Sequence, residues 1–181
     1  FFRFDNPRSF KLAIESNDLD YPEGISVIPE GWREKFEKFK MDNEVSINLT
    51  MHGPLRPKAR PFINMTFAVT NGKASINKVK MTKLAIRGSL INNANAAKIN
   101  DDRNMLLKLD TVHGRANGLG FGAHASIRNF RDPSLMLNGK LDFNLTDINM
   151  DTISDIKLKA GHFVSTFSYL GKLNEFIENK K

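Results

Sequence analysis

Four histidines, His52, His113, His124 and His162, are the side chains of this sequence best suited to metal ligation or proton transfer. None stands in an H-x-H or H-E-x-x-H spacing, and the chain has no cysteine to supply a thiolate. A metal site needs convergent ligands with supporting partners, and nothing local provides them, so these read as strand-end or surface histidines. The run Gly118-Leu119-Gly120-Phe121-Gly122-Ala123 satisfies G-x-G-x-x-A, whose glycines let a pyrophosphate approach a helix N-terminus. That chemistry requires a helix to follow. Here A-H-A-S-I-R alternates instead, and Asp132-Pro133 soon interrupts it, so a glycine-rich hairpin end is expected. There is no G-x-S-x-G, and Asp101-Asp102 sits in a polar stretch where the carboxylates would be solvated. The expectation is a protein that is not an enzyme, with no metal and no cofactor.

Lysine and arginine number 27 against 20 acidic residues, a formal charge of +7 that favours anionic partners without choosing among them. Arg56, Lys58 and Arg60 share a face if their proline-studded segment is extended, and Lys73, Lys78, Lys80, Lys83 and Arg87 follow. Such a strip suits an anionic membrane surface or a glycan. Aromatic residues do not interleave with it as a base-stacking platform would, so no nucleic acid is expected as a partner. Three N-x-T sequons, at Asn48, Asn64 and Asn144, fall on the polar side of expected strands, where asparagine and threonine serve a wet face in any case.

Strands must position all of these residues. From Glu44 the alternation is strict, with Val45, Ile47, Leu49 and Met51 on one side and Glu44, Ser46, Asn48 and Thr50 on the other. Ile63, Met65, Phe67 and Val69 repeat the pattern, as do Leu84 with Ile86, Leu107 with Leu109, and Phe121. Phe10, Leu12 and Ile14 do so near the start. Residues 127–145 read as two short strands joined at Asn138-Gly139, with Leu135 and Leu137 before the turn and Leu141, Phe143 and Leu145 after it. Asn71-Gly72 reads as another hairpin turn. Residues 17–24 read as a turn-rich connection, residues 29–41 as a short amphipathic helix carrying Trp32, Phe36 and Phe39, and residues 92–104 as a mobile loop. A helical turn is expected in residues 147–156. The last eighteen residues, with Phe163, Phe167, Leu170, Leu173 and Ile177 near helical spacing, read as a terminal helix or a strand followed by one. In all, roughly ten short strands with turn signals every 8 to 12 residues describe a mainly β protein, an antiparallel meander with one or two short amphipathic helices.

The 181 residues fit one elongated domain, 1–181. The opening Phe1-Phe2-Arg3-Phe4 is already strand-like and lacks methionine, as in a fragment of a longer chain. No run of about 18 apolar residues occurs.

Taken together, V-S-I-N-L-T-M-H-G-P-L, the later P-F-I-N-M-T-F-A-V-T-N-G-K-A-S-I and N-F-R-D-P-S-L-M-L-N-G-K-L-D-F-N-L resemble the AsmA-like proteins of the Gram-negative envelope, particularly those of Bacteroidetes. The likeness rests on Gly53-Pro54-Leu55, Pro61 with its alternating tail, Asn71-Gly72, Asn129-Phe130, Pro133, Leu135, Leu137 and 139–142. It implies a long sheet bent into a taco-like groove with an apolar lining, continued by further β-repeats of a full-length chain. It also implies anchoring in the inner membrane by a segment absent from this sequence, a periplasmic location, and a part in phospholipid movement toward the outer membrane and in envelope integrity. Its ligands would be phospholipid acyl chains. The alternating residues named above, from Val45 to Leu145, are the candidate lining. Read from the residues alone, the same positions serve equally as a closed core, which leaves a β-sandwich structural or interaction module as an alternative, and an anion- or glycan-binding surface at Arg56, Lys58 and Arg60 as another.

Overall fold

A computed structural model describes residues 9–26, 33, 40–55, 59–76, 79–95, 101–117, 119–144 and 160–178. Nine strands are present among them: β1 Ser9–Asp20, β2 Lys40–Met41, β3 Glu44–Pro54, β4 Phe62–Ile76, β5 Val79–Ile91, β6 Leu106–Ala116, β7 Leu119–Arg128, β8 Ser134–Asn144 and β9 His162–Lys172. Two six-residue helices accompany them, α1 Tyr21–Ser26 and α2 Leu173–Glu178. All strands join one open antiparallel sheet in the order β1-β3-β4-β5-β6-β7-β8-β9, with β2 paired to β4 beyond the reach of β3. The mainly β meander expected from the sequence is the fold, and among the described residues the sheet is open, with β1 and β9 as its edge strands.

Because side chains alternate across a strand, pairing register decides whether apolar residues of neighbouring strands share a face. Here they do, along rows that cross the whole sheet. One row runs Ile14, Leu49, Met65, Leu90, Leu107, Ile127, Leu135 and Gly171; the next runs Ser16, Ile47, Phe67, Gly88, Leu109, Ala125, Leu137 and Tyr169. The other face carries Asn48, Thr66, Arg87, Lys108, His124, Lys140 and the three sequon asparagines, all exposed. Val45, Ile47, Leu49, Met65, Val69, Leu84, Leu90 and Leu107 form the buried core, joined by Met41 of β2 and Ala74. Helix α1 stands over it, with Gly24 close to Ile47 and Leu19.

Register shifts bend the sheet. They fall between Val69 and Gly72 in β4, between Thr82 and Ala85 in β5, and between Leu109 and Val112 in β6. Bulges of this kind sharpen local twist and re-aim side chains. Lys83 lies in one of them at φ 50°, a left-handed conformation costly for a residue with a Cβ. Lys83→Gly is therefore expected to raise stability by about 1 kcal/mol, measured as a higher urea midpoint at unchanged slope.

Several expectations are corrected. Asn138-Gly139 is not a turn: β8 runs straight through it, Asn138 pairing with His124 on one side and Ser168 on the other. The real turn lies earlier, at Asn129 to Pro133, where Asn129 takes φ 58° and its carbonyl accepts from the Asp132 N–H at 2.9 Å. A two-residue hairpin would have put Leu135 and Leu137 on the face opposite Leu141 and Phe143. The continuous strand puts all four on one face. Asn71-Gly72 is likewise inside β4, where only Asn71 has positive φ and the pair forms a bulge instead of a type I′ turn, which needs both. The supposed connection 17–24 is the end of β1 and most of α1, and Lys40–Met41 is strand rather than helix. Trp32, Phe36, Phe39, Leu145 and residues 147–156 lie outside the described residues. In the polar stretch 92–104, Asn104 is buried and its amide donates to the Asn95 carbonyl at 2.7 Å, while Asp101 caps a 3-10 turn at Asp102–Asn104. The end of the sequence takes the second of its two readings, β9 followed by α2.

Candidate functional site

The apolar face divides into a closed part and an open part. Of the expected lining residues, Val45, Ile47, Leu49, Met65, Val69, Leu84, Leu107 and Leu135 are buried, whereas Met51, Ile63, Phe67, Ile86, Leu109, Phe121, Leu137, Leu141 and Phe143 are partly exposed. Leu145 falls outside the described residues. Except for Leu135 of β8, the buried set belongs to the core between β3 and β6, so it supports the face rather than lining an open surface. The open part lies over β6 to β9.

Small residues lower the floor there. Ala125 lies between Leu109 and Leu137, and Ala123 between Val112 and Gly139. On one side stand Leu109, Val112 and Phe121. On the other stand Leu137, Tyr169 and two phenylalanines of β9, Phe163 at 44% and Phe167 at 43% exposure. Rings of Phe143 and Phe163 meet at 5.0 Å, and Tyr169 meets Phe176 of α2 at 4.9 Å. Leu173, buried, begins α2, and its N–H donates to the Pro133 carbonyl at 2.9 Å, which holds the helix at the β8 end of the sheet. The result is a shallow channel of alanine and glycine between walls of leucine and aromatic rings. Such a surface binds by burying apolar area.

The β9 residues and the two alanines are absent from the lining expected from sequence. Phe163, Phe167 and Leu170 fit helical spacing, which hides the alternation Phe163, Ser165, Phe167, Tyr169. The β-branched Val164 and Thr166 between them were the signal for a strand. Alanine, apolar but short, marks no lining by itself.

Chemistry-bearing residues lie elsewhere. The four histidines are exposed, with His113 and His124 diagonal neighbours on β6 and β7, and no group of three or more His, Asp or Glu among the described residues could hold a metal ion. His162 contacts Asp142 at 2.7 Å, and Lys140 donates to the same carboxylate at 2.7 Å. These hydrogen bonds, that of Lys140 foremost, hold the Asp142 carboxyl below its usual range. The glycine-rich 118–123 run continues as β7, a strand, so the helix that a pyrophosphate site needs is not there. Arg60 is ion-paired with Asp102, and Arg56 and Lys58 fall outside the described residues, so the three basic residues are not seen converging. A depression of about 290 Å³ opens on the polar face, lined by Glu15, Asn48, Thr66, Arg87 and Asp110 among others. It is open to solvent and mixed in charge.

Tyr21 of α1 packs against the core, and burial pushes its phenol up to about 12 from 10.0. The raised folded value means that the neutral phenol adds stability below about pH 10, which is lost as pH rises toward 12. Phenolate absorbance is expected to show one transition near pH 12, missing in Tyr21→Phe and shifted to about 10 in urea.

Among the described residues no helix is long and apolar enough to cross a membrane. No family model, no curated protein and no solved structure matches this chain.

Proposed function

We propose that this chain binds phospholipid acyl chains along the open half of its apolar face, without catalysis, as a lipid-binding or transfer element of the cell envelope. The observation that carries this reading is the partly exposed channel over Ala123 and Ala125, walled by Leu137, Phe163, Phe167 and Tyr169 and continuous with the buried core. Exposed apolar surface of this extent in one contiguous stripe marks an interaction site. Its shape suits a flexible hydrocarbon: the four strands β6 to β9, about 4.8 Å apart, make the open part about 14 Å wide across the sheet, and its low floor follows β7. The likeness to AsmA-like proteins supports the same reading, with a periplasmic setting, an inner-membrane anchor and further β-repeats in a longer chain.

Native mass spectrometry of protein purified by mild extraction is expected to show bound phospholipid, and stripped protein is expected to take it up from liposomes. Ala125→Phe places a ring in the channel floor and is expected to weaken uptake about tenfold, equivalent to about 1.4 kcal/mol, with the circular dichroism of the sheet retained. Repeated recovery of the bare chain, with no uptake from liposomes, would refute the reading.

A further inference from the structure

Among the described residues, strand β9 is an edge of the sheet with no strand paired on its outer side. Natural edge strands discourage pairing with charges, prolines, bulges or a covering element. The opposite edge does this: β1 carries Lys11, Glu15, Asp18 and Asp20 and has a register shift between Ser16 and Leu19. β9 reads H-F-V-S-T-F-S-Y-L-G-K, with no proline, no carboxylate, a lysine only at its end, and unbroken register against β8. Large apolar side chains are exposed on both of its faces. Val164 is 50% and Leu170 83% exposed on one, and Phe163 and Phe167 are exposed on the other.

The sequence of this strand is also complementary to itself. An antiparallel pair related by a two-fold axis at Phe167, the midpoint of the strand, matches all eleven residues. Val164 falls opposite Leu170, Thr166 opposite Ser168 and Phe167 opposite its own copy. These are apolar, hydroxyl and aromatic pairs of the kinds that stabilise neighbouring strands. Ser165 falls opposite Tyr169. Phe163 falls opposite Gly171, over which the Tyr169 ring of its own strand already lies, so the phenylalanine would pack against that ring. His162 and Lys172 meet at the ends, each already held by a carboxylate of its own chain, Asp142 and Asp132. No uncompensated like charges are opposed.

The geometry points to a second copy of this chain as the occupant of the β9 edge, paired antiparallel about Phe167 so that two sheets become one. This inference does not depend on lipid binding. In the joined sheet Phe163 and Phe167 of both copies lie on the same face, so the two apolar channels run into one another.

Light scattering is expected to give twice the chain mass for the native sequence. The double substitutions Val164→Lys with Leu170→Lys, and Val164→Glu with Leu170→Glu, change exposed positions and oppose like charges across the two-fold. Each alone is expected to run at the 20.5 kDa of a single chain with an unchanged circular dichroism spectrum, and an equimolar mixture is expected to recover the doubled mass. The absence of native cysteine allows a check of register. Chains with Thr166→Cys mixed with chains with Ser168→Cys should cross-link under mild oxidation, and neither should do so alone, because like positions lie on a diagonal about 7–8 Å apart. A native chain that stays at single mass up to about 1 mM would overturn the proposal and leave the edge to a different strand. So would a dimer that survives the lysine pair, or one whose mixed cysteines fail to cross-link.

Discussion

Replacing Leu84 with alanine is expected to lower the unfolding free energy by about 3–5 kcal/mol, the range for a leucine lost from a site that cannot collapse. Leu84 is 1% exposed, the most completely buried large side chain among the described residues. It lies where β4 and β5 bulge together, opposite Gly72 and next to Val69, whose Cγ1 would stand 2.8 Å from a Cβ added at Gly72. The bulges fix the backbone on both sides, so little can move into the space that the substitution leaves. Urea unfolding measures the loss. Leu55→Ala, at 44% exposure and away from β9, is the control and is expected within about 1 kcal/mol of the native chain. A Leu84→Ala cost below 1 kcal/mol would mean that the face between β3 and β6 is loosely covered, and the division into closed and open parts would fail with it.

That division is what the sequence could not express. Alternation told which side chains share a face, and the face holds: Val45 to Met51, Ile63 to Val69, Leu107 with Leu109, and Leu135 to Phe143 all project to one side. Alternation is a local property, however, and says nothing of what lies above a face. Whether Leu49 is floor or core depends on α1 and on the bend of the sheet, which arise from segments distant in the chain. The errors share a cause. Asn-Gly is a strong hairpin signal because both residues tolerate positive φ, yet Asn138 and Gly139 use none of that freedom. A glycine inside a strand can instead make room for a neighbouring ring, and a reader of the chain cannot see Phe167, 28 positions away, arriving beside it. Polar groups meet in the same unannounced way: His162 reaches the Asp142 carboxylate from 20 positions away, beside Lys140, because β8 and β9 pair.

The glycines that seat aromatic rings give the second large effect, and they divide by what stands over them. A Cβ added at Gly88 would lie 2.5 Å from the Lys108 carbonyl oxygen and 2.5 Å from Cζ of Phe67. The first of these is backbone of the adjacent strand, so Gly88→Ala must force β5 and β6 apart at cross-sheet hydrogen bonds. A cost of about 3 kcal/mol is expected, and Phe67→Ala in the same chain should not relieve it. At Gly139 a Cβ would overlap only the ring of Phe167, a half-exposed side chain free to swing away. Gly139→Ala should cost about 1–2 kcal/mol, and in a Phe167→Ala background it should become neutral or stabilising by about 0.5–1 kcal/mol, since alanine is better than glycine inside a strand. The double-mutant cycle thus predicts strong coupling at 139 with 167 and weak coupling at 88 with 67. Because the displaced Phe167 ring would turn into the channel beside Ala123, Gly139→Ala should also reduce acyl uptake while the sheet stays folded. Equal coupling at the two sites would mean that the rings, rather than the backbone, limit both, and that Gly88 is part of the adaptable channel and not of the closed core.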